Sequence, residues 1–196
     1  MWYGLRMANL APMTVLEETP ARFTVEEFME LVKLPPLSDW HGKTELVDGV
    51  ITRMSPANIP HWNAQRLTFM NLYEAMKGVS GGWIVGQEPA VRLSGDILRE
   101  PDVAILRDTG LVGEIFDHTA LYLAVEIADS SIRIDLGTKL EDYAKAFVPH
   151  YWVVDINDRE VHVMTNPMGG RYTKKTVIPF GVEIAIPSVD REIIFV

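Results

Sequence analysis

The stretch LYLAVEIADSSIRIDLGTKLEDYAKAFVPHYWVVDI, residues 121–156, decides the fold. Its opening run, Leu121 to Ile127, puts Leu121, Leu123, Val125 and Ile127 on one face and Tyr122, Ala124 and Glu126 on the other. That is the alternation of a strand, and it is apolar enough to be central in a sheet. Asp135 to Phe147 has helical spacing through Leu136, Leu140, Tyr143 and Phe147, and Pro149 ends it. Tyr151 to Ile156 is again strand-like. Strand, helix and strand in this order predict a right-handed crossover joining a parallel pair.

Upstream, Thr24 and Glu27 have capping-box spacing and predict a helix from about Thr24 to Lys33, stopped by Pro35-Pro36. Glu45 to Met54 reads as a hairpin, because Asp48-Gly49 suits a type I′ turn. The spacing of Leu67, Met70, Leu72, Tyr73 and Met76 predicts an amphipathic helix over His61 to Met76, closed by Gly78 and Gly81-Gly82. Trp83 to Leu93 and Asp102 to Leu106 read as strands, with Pro101 at the entry to the second. Downstream, Glu160 to Thr165, Tyr172 to Ile178 and Ile193 to Val196 read as further strands. The expected fold is α/β, a mixed β-sheet flanked by helices. Residues 1–20 are expected to form an N-terminal arm and residues 21–196 a single domain, since no linker or repeat divides them.

The chain has 196 residues, 47% of them hydrophobic and 23% charged, a composition that excludes disordered, collagen-like and coiled-coil classes. No apolar run approaches the roughly 18 residues of a membrane span. The first residues have no basic start followed by an apolar core, so a cytoplasmic protein is expected. There is no cysteine, which leaves oxygen and imidazole chemistry. Lys and Arg number 18 against 27 Asp and Glu, a net charge of −9 that repels polyanions over the surface as a whole. A nucleic-acid partner therefore requires local gathering of basic residues or a cation site. Arg92, Arg99, Arg107, Arg133, Lys145, Lys174 and Lys175 are the candidates for a phosphate track, scattered along the sequence.

Glu126 is the most informative residue, because a carboxylate in an apolar strand needs a cation or a proton. An arginine at the sheet end would satisfy it as well as a functional partner. Asp102 opens another strand; if the two strands are neighbours, both carboxylates can face one pocket and offer hard oxygen ligands for Mg²⁺ or Mn²⁺. Alone, Asp102 reads as a strand-entry aspartate. Glu45, at the edge of the first hairpin, could supply a third oxygen or be a solvated glutamate. Asp135 and Lys139 lie four apart on one helix face, as a surface ion pair or with Lys139 reaching back to stabilise charge on a phosphoryl group. No G-x-S-x-G elbow, P-loop or G-x-G-x-x-G fingerprint is present.

In order, ELVDGVI at 45–51, Pro101-Asp102-Val103-Ala104, LAVEIADSS at 123–131, Asp135 with Lys139, Tyr143, and PHYWVVD at 149–155 resemble the bacterial Uma family. Its members are restriction-endonuclease-like proteins of the PD-(D/E)XK superfamily, and the likeness runs from about residue 22 to residue 180. The resemblance implies a restriction-endonuclease-like core and a metal-dependent endonuclease acting on DNA. In it Asp102 and Glu126 bind Mg²⁺ or Mn²⁺, Glu45 assists, and a homodimer addresses the two strands. Where the wider superfamily carries a lysine two residues after Glu126, this chain has Ala128, and Lys139 on the following helix takes that place. His61 matches a family histidine at the start of the second helix, and Gln87 could support Asp102. His41, His118, His150 and His162 lack paired zinc spacing and read as structural. Two alternatives stand beside the endonuclease: a non-catalytic binding or assembly module, and a phosphodiesterase for RNA or a small phosphodiester.

Overall fold

Thr24 opens α1 (Val25–Leu31) with a complete capping box. Its hydroxyl accepts from the Glu27 amide at 3.2 Å and Glu27 Oε2 accepts from the Thr24 amide at 2.9 Å. The computed structural model describes residues 20–40, 42–108, 110 and 112–196. The expected arm, Pro20 apart, and His41 lie outside the described residues. In β1 (Thr44–Val47) and β2 (Val50–Arg53) the expected hairpin forms, with Asp48 and Gly49 at φ of 49° and 73°, as a type I′ turn requires. Asn58 caps α2 (Ile59–Met76), its side chain accepting from the His61 amide at 3.0 Å. The buried stripe of α2 is Gln65, Thr68, Leu72 and Met76. Met70 and Tyr73, expected on the packed face, are about half exposed.

The expected strand over Trp83 to Leu93 is two strands, β3 (Trp83–Gln87) and β4 (Val91–Arg92), in different sheets. Glu88 takes a positive φ and Pro89 follows it, which breaks the extended run. Then come β5 (Leu98–Arg99), β6 (Val103–Arg107), β7 (Phe116–Asp117) and β8 (Leu121–Ala128). A short turn α3 (Ile132–Ile134), a π-type turn (Asp135–Lys139) and α4 (Leu140–Lys145) lead to β9 (His150–Asp155). The chain closes with β10 (Glu160–Met168), β11 (Arg171–Pro179), β12 (Glu183–Ala185) and β13 (Glu192–Ile194).

A six-stranded mixed sheet runs β11-β10-β9-β8-β6-β3, and a second runs β2-β1-β5-β4-β7. β8 and β9 are parallel neighbours joined by the helical crossover, while β6 pairs antiparallel with β8 on its other side. Every residue of β8 is buried. One face of the main sheet packs Leu140, Tyr143 and Ala144 of α4, and the other packs Leu72 and Met76 of α2, so helices flank the sheet. The register of β6 and β8 shifts at Ile105/Leu106, where a bulge makes Leu106 face Leu121. As a result Leu121 joins the face of Ala124, and Tyr122 joins that of Leu123, Val125 and Ile127, the reverse of strict alternation. Phe147, expected on the helix face, lies past the end of α4 at a φ of 57° and is 64% exposed. Among the described residues no helix is long and apolar enough to cross a membrane.

His150 packs edge-on against Tyr122 at a centroid distance of 4.8 Å, its Nδ1 without a hydrogen-bond partner among the described residues, and burial pushes its pKa down to about 4. The unfolded chain binds this proton more readily, so the stability held above about pH 6.5 falls as pH drops towards about 4. The variant His150→Phe should lose less of its urea midpoint over that window than the wild type; equal losses would discount His150 as a source of acid sensitivity.

Candidate active site

Asp102 stands one residue before β6, and Val103 pairs with Val125, so the antiparallel line sets Asp102 opposite Glu126 of β8. Both side chains reach one cavity of about 710 Å³ that Lys43, His61, Asp135 and Lys139 also line. The two strands are neighbours, as the two-carboxylate reading requires. Both acids are nearly inaccessible, Asp102 3% and Glu126 1% exposed, so their oxygens depend on protein partners.

The Ile127 amide donates to Asp102 Oδ2 at 2.7 Å, His61 Nε2 lies 3.2 Å from the same oxygen, and the Lys43 ammonium bonds Oδ1. Burial works to raise the pKa of Asp102. The His61 hydrogen bond and the Lys43 and Lys139 ammoniums outweigh it and hold the carboxyl well below its usual range. On Glu126, Lys139 Nζ binds Oε2 at 2.8 Å and the Tyr143 hydroxyl donates to Oε1 at 3.0 Å. Burial pushes Glu126 up to about 7 against the Lys139 ammonium, with the Asp102 and Asp135 carboxylates adding to the rise. Burial works to lower the pKa of Lys139, but the carboxylates of Glu126, Glu45, Asp135 and Asp102 outweigh it and hold the ammonium well above its usual range.

Lys139 reaches the cavity through the π-type turn. Gly137 leaves helical geometry there, at φ −110° and ψ −105°, and the turn carries Asp135 and Lys139 inward together, Nζ 3.6 Å from Asp135 Oδ1. They form no surface ion pair: Asp135 is 1% and Lys139 4% exposed.

Glu45 is placed behind this cluster and does not line the cavity. Its Oε2 binds Arg99 at 2.7 Å and its Oε1 accepts the Glu100 amide at 3.0 Å. Lys139 Nζ is 4.0 Å away. Arg99 also grips Asp142 Oδ2, at 2.5 Å and 3.1 Å, forming a buried Glu45–Arg99–Asp142 triad. The Glu126 cation is thus a lysine and the buried arginine belongs to Glu45. Gln87 is exposed at the end of β3, away from the cavity lining. The glutamine beside Asp102 is Gln65, which donates to the Asp102 carbonyl at 3.0 Å and to Glu88 Oε1 at 3.1 Å. Its signal was its place four residues after His61, on the same face of α2. Lys43, one residue before β1, also bonds Asp102, a long-range contact that no local spacing announces.

Of the basic residues expected to track phosphates, Arg99 is consumed in the triad, Arg92 pairs with Glu26 at 2.6 Å, and Lys145 with Glu141 at 3.3 Å. Arg107 lies over the Trp83 ring at 4.4 Å.

Among the described residues no set of three or more His, Asp or Glu side chains converges to cage a metal. The donor chemistry still suits Mg²⁺, which takes one or two carboxylates and keeps several waters. Six carboxyl groups, Glu88, Glu100, Asp102, Glu126, Asp129 and Asp135, line the cavity with two lysines and His61, an acidic excess that favours an added cation. Burial, with the Glu45 carboxylate nearby, pushes Glu100 up to about 7.

The Uma2 family, described as "putative restriction endonuclease", matches residues 25–193. Among solved structures, a "putative nuclease belonging to DUF820" from Anabaena variabilis superposes with a TM-score of 0.66 at 19% identity, over 85% of this chain and 90% of that one. No curated protein matches the sequence.

Proposed function

From the premise that the chain belongs to the Uma2 family of restriction-endonuclease-like proteins, we propose that it is a divalent-metal-dependent endonuclease hydrolysing phosphodiester bonds in cytoplasmic DNA. The observation that carries this reading is the meeting of Asp102 and Glu126, from neighbouring strands, in one cavity with Lys139 at 2.8 Å from Glu126. Asp102 and Glu126 hold Mg²⁺ or Mn²⁺. A cation there supplies charge for the phosphoryl oxygens and acidifies a water. Lys139, protonated and buried, adds positive charge beside the reacting phosphate. Tyr143 and the Ile127 amide fix the two carboxylates in orientation, and Glu45 acts through Lys139 and Arg99 rather than on the substrate. A homodimer belongs to the same reading, since a two-fold pair presents one site to each strand.

The test is calorimetric titration of Mg²⁺ and Mn²⁺ into the wild type and the Asp102→Ala, Glu126→Ala double variant, with cleavage of plasmid DNA, RNA and a small aryl phosphodiester beside it. Saturable binding lost in the variant, with nicking of the plasmid, is the expected result. Cleavage of RNA or the small ester alone would move the substrate. One observation favours a non-catalytic module: each oxygen of Asp102 and Glu126 already has a protein partner. Absence of both binding and cleavage in the wild type would overturn the endonuclease reading in favour of that module.

A further inference from the structure

Lys43 is the cavity cation to which the two-carboxylate chemistry gives no task. Its ammonium bonds Asp102 Oδ1, while the Glu100 carbonyl oxygen lies 3.2 Å from it and Glu88 Oε1 lies 3.6 Å from it. The other carboxylate oxygens are held differently. Asp102 Oδ2 takes the fixed Ile127 amide at 2.7 Å and lies 3.2 Å from His61 Nε2, and Glu126 takes Tyr143, which is wholly buried, and Lys139, whose side chain is 6% exposed. Lys43 is more accessible, its side chain 16% exposed, and its charge rides on a flexible four-carbon stem. Asp102 Oδ1, held by the Lys43 ammonium, is therefore an oxygen that a cation reaches by displacing a mobile side chain, whereas Oδ2 keeps the backbone amide of Ile127. Acceptors for the displaced ammonium are already within 3.6 Å.

We propose that Lys43 stands in a divalent cation's place on Asp102 Oδ1 and, when the cation binds, gives up that oxygen, keeping its hydrogen bond to the Glu100 carbonyl and closing on Glu88. The inference rests on the metal-binding reading above. An ammonium and a divalent cation on one carboxylate oxygen repel each other at contact distance, so occupation by the cation drives the ammonium off that oxygen. Until then Lys43 compensates a carboxylate that is 3% exposed and sits beside Glu126, and it keeps the site assembled. Lys43 thus lowers cation affinity while it preserves the geometry into which the cation fits.

The test titrates Mg²⁺ and Mn²⁺ into wild type, Lys43→Met and Lys43→Arg, and records thermal unfolding of each with and without Mn²⁺. Removing a charge at contact distance should tighten Mn²⁺ binding at least about tenfold in Lys43→Met. Its melting temperature without cation should fall, and Mn²⁺ should restore more of it than in the wild type. Lys43→Arg keeps the charge and should bind as the wild type does. Lys43→Gln, which keeps a neutral donor for Asp102, repeats the affinity test if Lys43→Met does not fold. Unchanged or weaker binding in a folded neutral variant, with the wild type binding normally, overturns the stand-in role and leaves the metal site intact. No binding by any form overturns both.

Discussion

Asp102→Asn and Glu126→Gln should each lower Mg²⁺-dependent DNA cleavage by on the order of 10²–10³-fold, the scale of losing one group that stabilises charge in a water-excluded site. Each replacement keeps shape and removes one negative charge. In Asp102→Asn the amide oxygen can still accept from Ile127, and in Glu126→Gln it can still accept from Lys139 or Tyr143, so the packing of β6 against β8 should survive. Circular dichroism indistinguishable from wild type, with cleavage gone from a plasmid-nicking assay, is the expected pair of results. Wild-type cleavage by either variant would remove that carboxylate from the metal site. Loss of cleavage together with loss of fold would be read instead from calorimetry of the folded fraction, where Mn²⁺ binding should be weakened.

Arg99→Met should cost about 3–5 kcal/mol of folding stability, because it removes the cation from a buried triad and leaves two carboxylates facing each other. Glu45 is 0%, Arg99 3% and Asp142 4% exposed, so water cannot replace the guanidinium. Both acids depend on it: Arg99 reaches Glu45 at 2.7 Å and Asp142 at 2.5 Å. A urea titration followed by tryptophan fluorescence measures the loss. The triple replacement Glu45→Leu, Arg99→Met, Asp142→Leu should recover most of the stability, since apolar side chains of similar volume avoid the desolvation cost. It should not recover cleavage, because Glu45 also lies 4.0 Å from Lys139 and helps keep that ammonium charged. A single variant less than about 1 kcal/mol below wild type would show that the buried triad contributes no more than an exposed ion pair does.

The central strand and its crossover were legible from residues 121–156 because both follow from local rules. An apolar run reads as a buried strand, and the helix after it must return the chain beside that strand. Asp48-Gly49 announced its turn for the same reason: the backbone demands of two residues are carried by those residues. The division of Trp83–Leu93 between two sheets was not legible, although Pro89 marked the break, since sheet membership depends on partners far along the chain. The exposed positions of Met70 and Tyr73 came from the same cause. Helical spacing shows that apolar faces exist, and the sheet decides which one it covers.

The candidate site divides along this line. Glu126 in an apolar strand, Asp102 at a strand entry and the Asp135–Lys139 pair were visible as residue types in local settings that make them costly or directional. The antiparallel register of β6 and β8 that sets Asp102 opposite Glu126 is long-range, and so are the Lys43 and His61 contacts to Asp102 and the withdrawal of Glu45 behind Arg99. Local order along a chain determines which side chains must find a partner. Only packing between distant segments decides which partner each one meets, because a carboxylate is satisfied by any cation or donor that the fold brings within hydrogen-bonding distance.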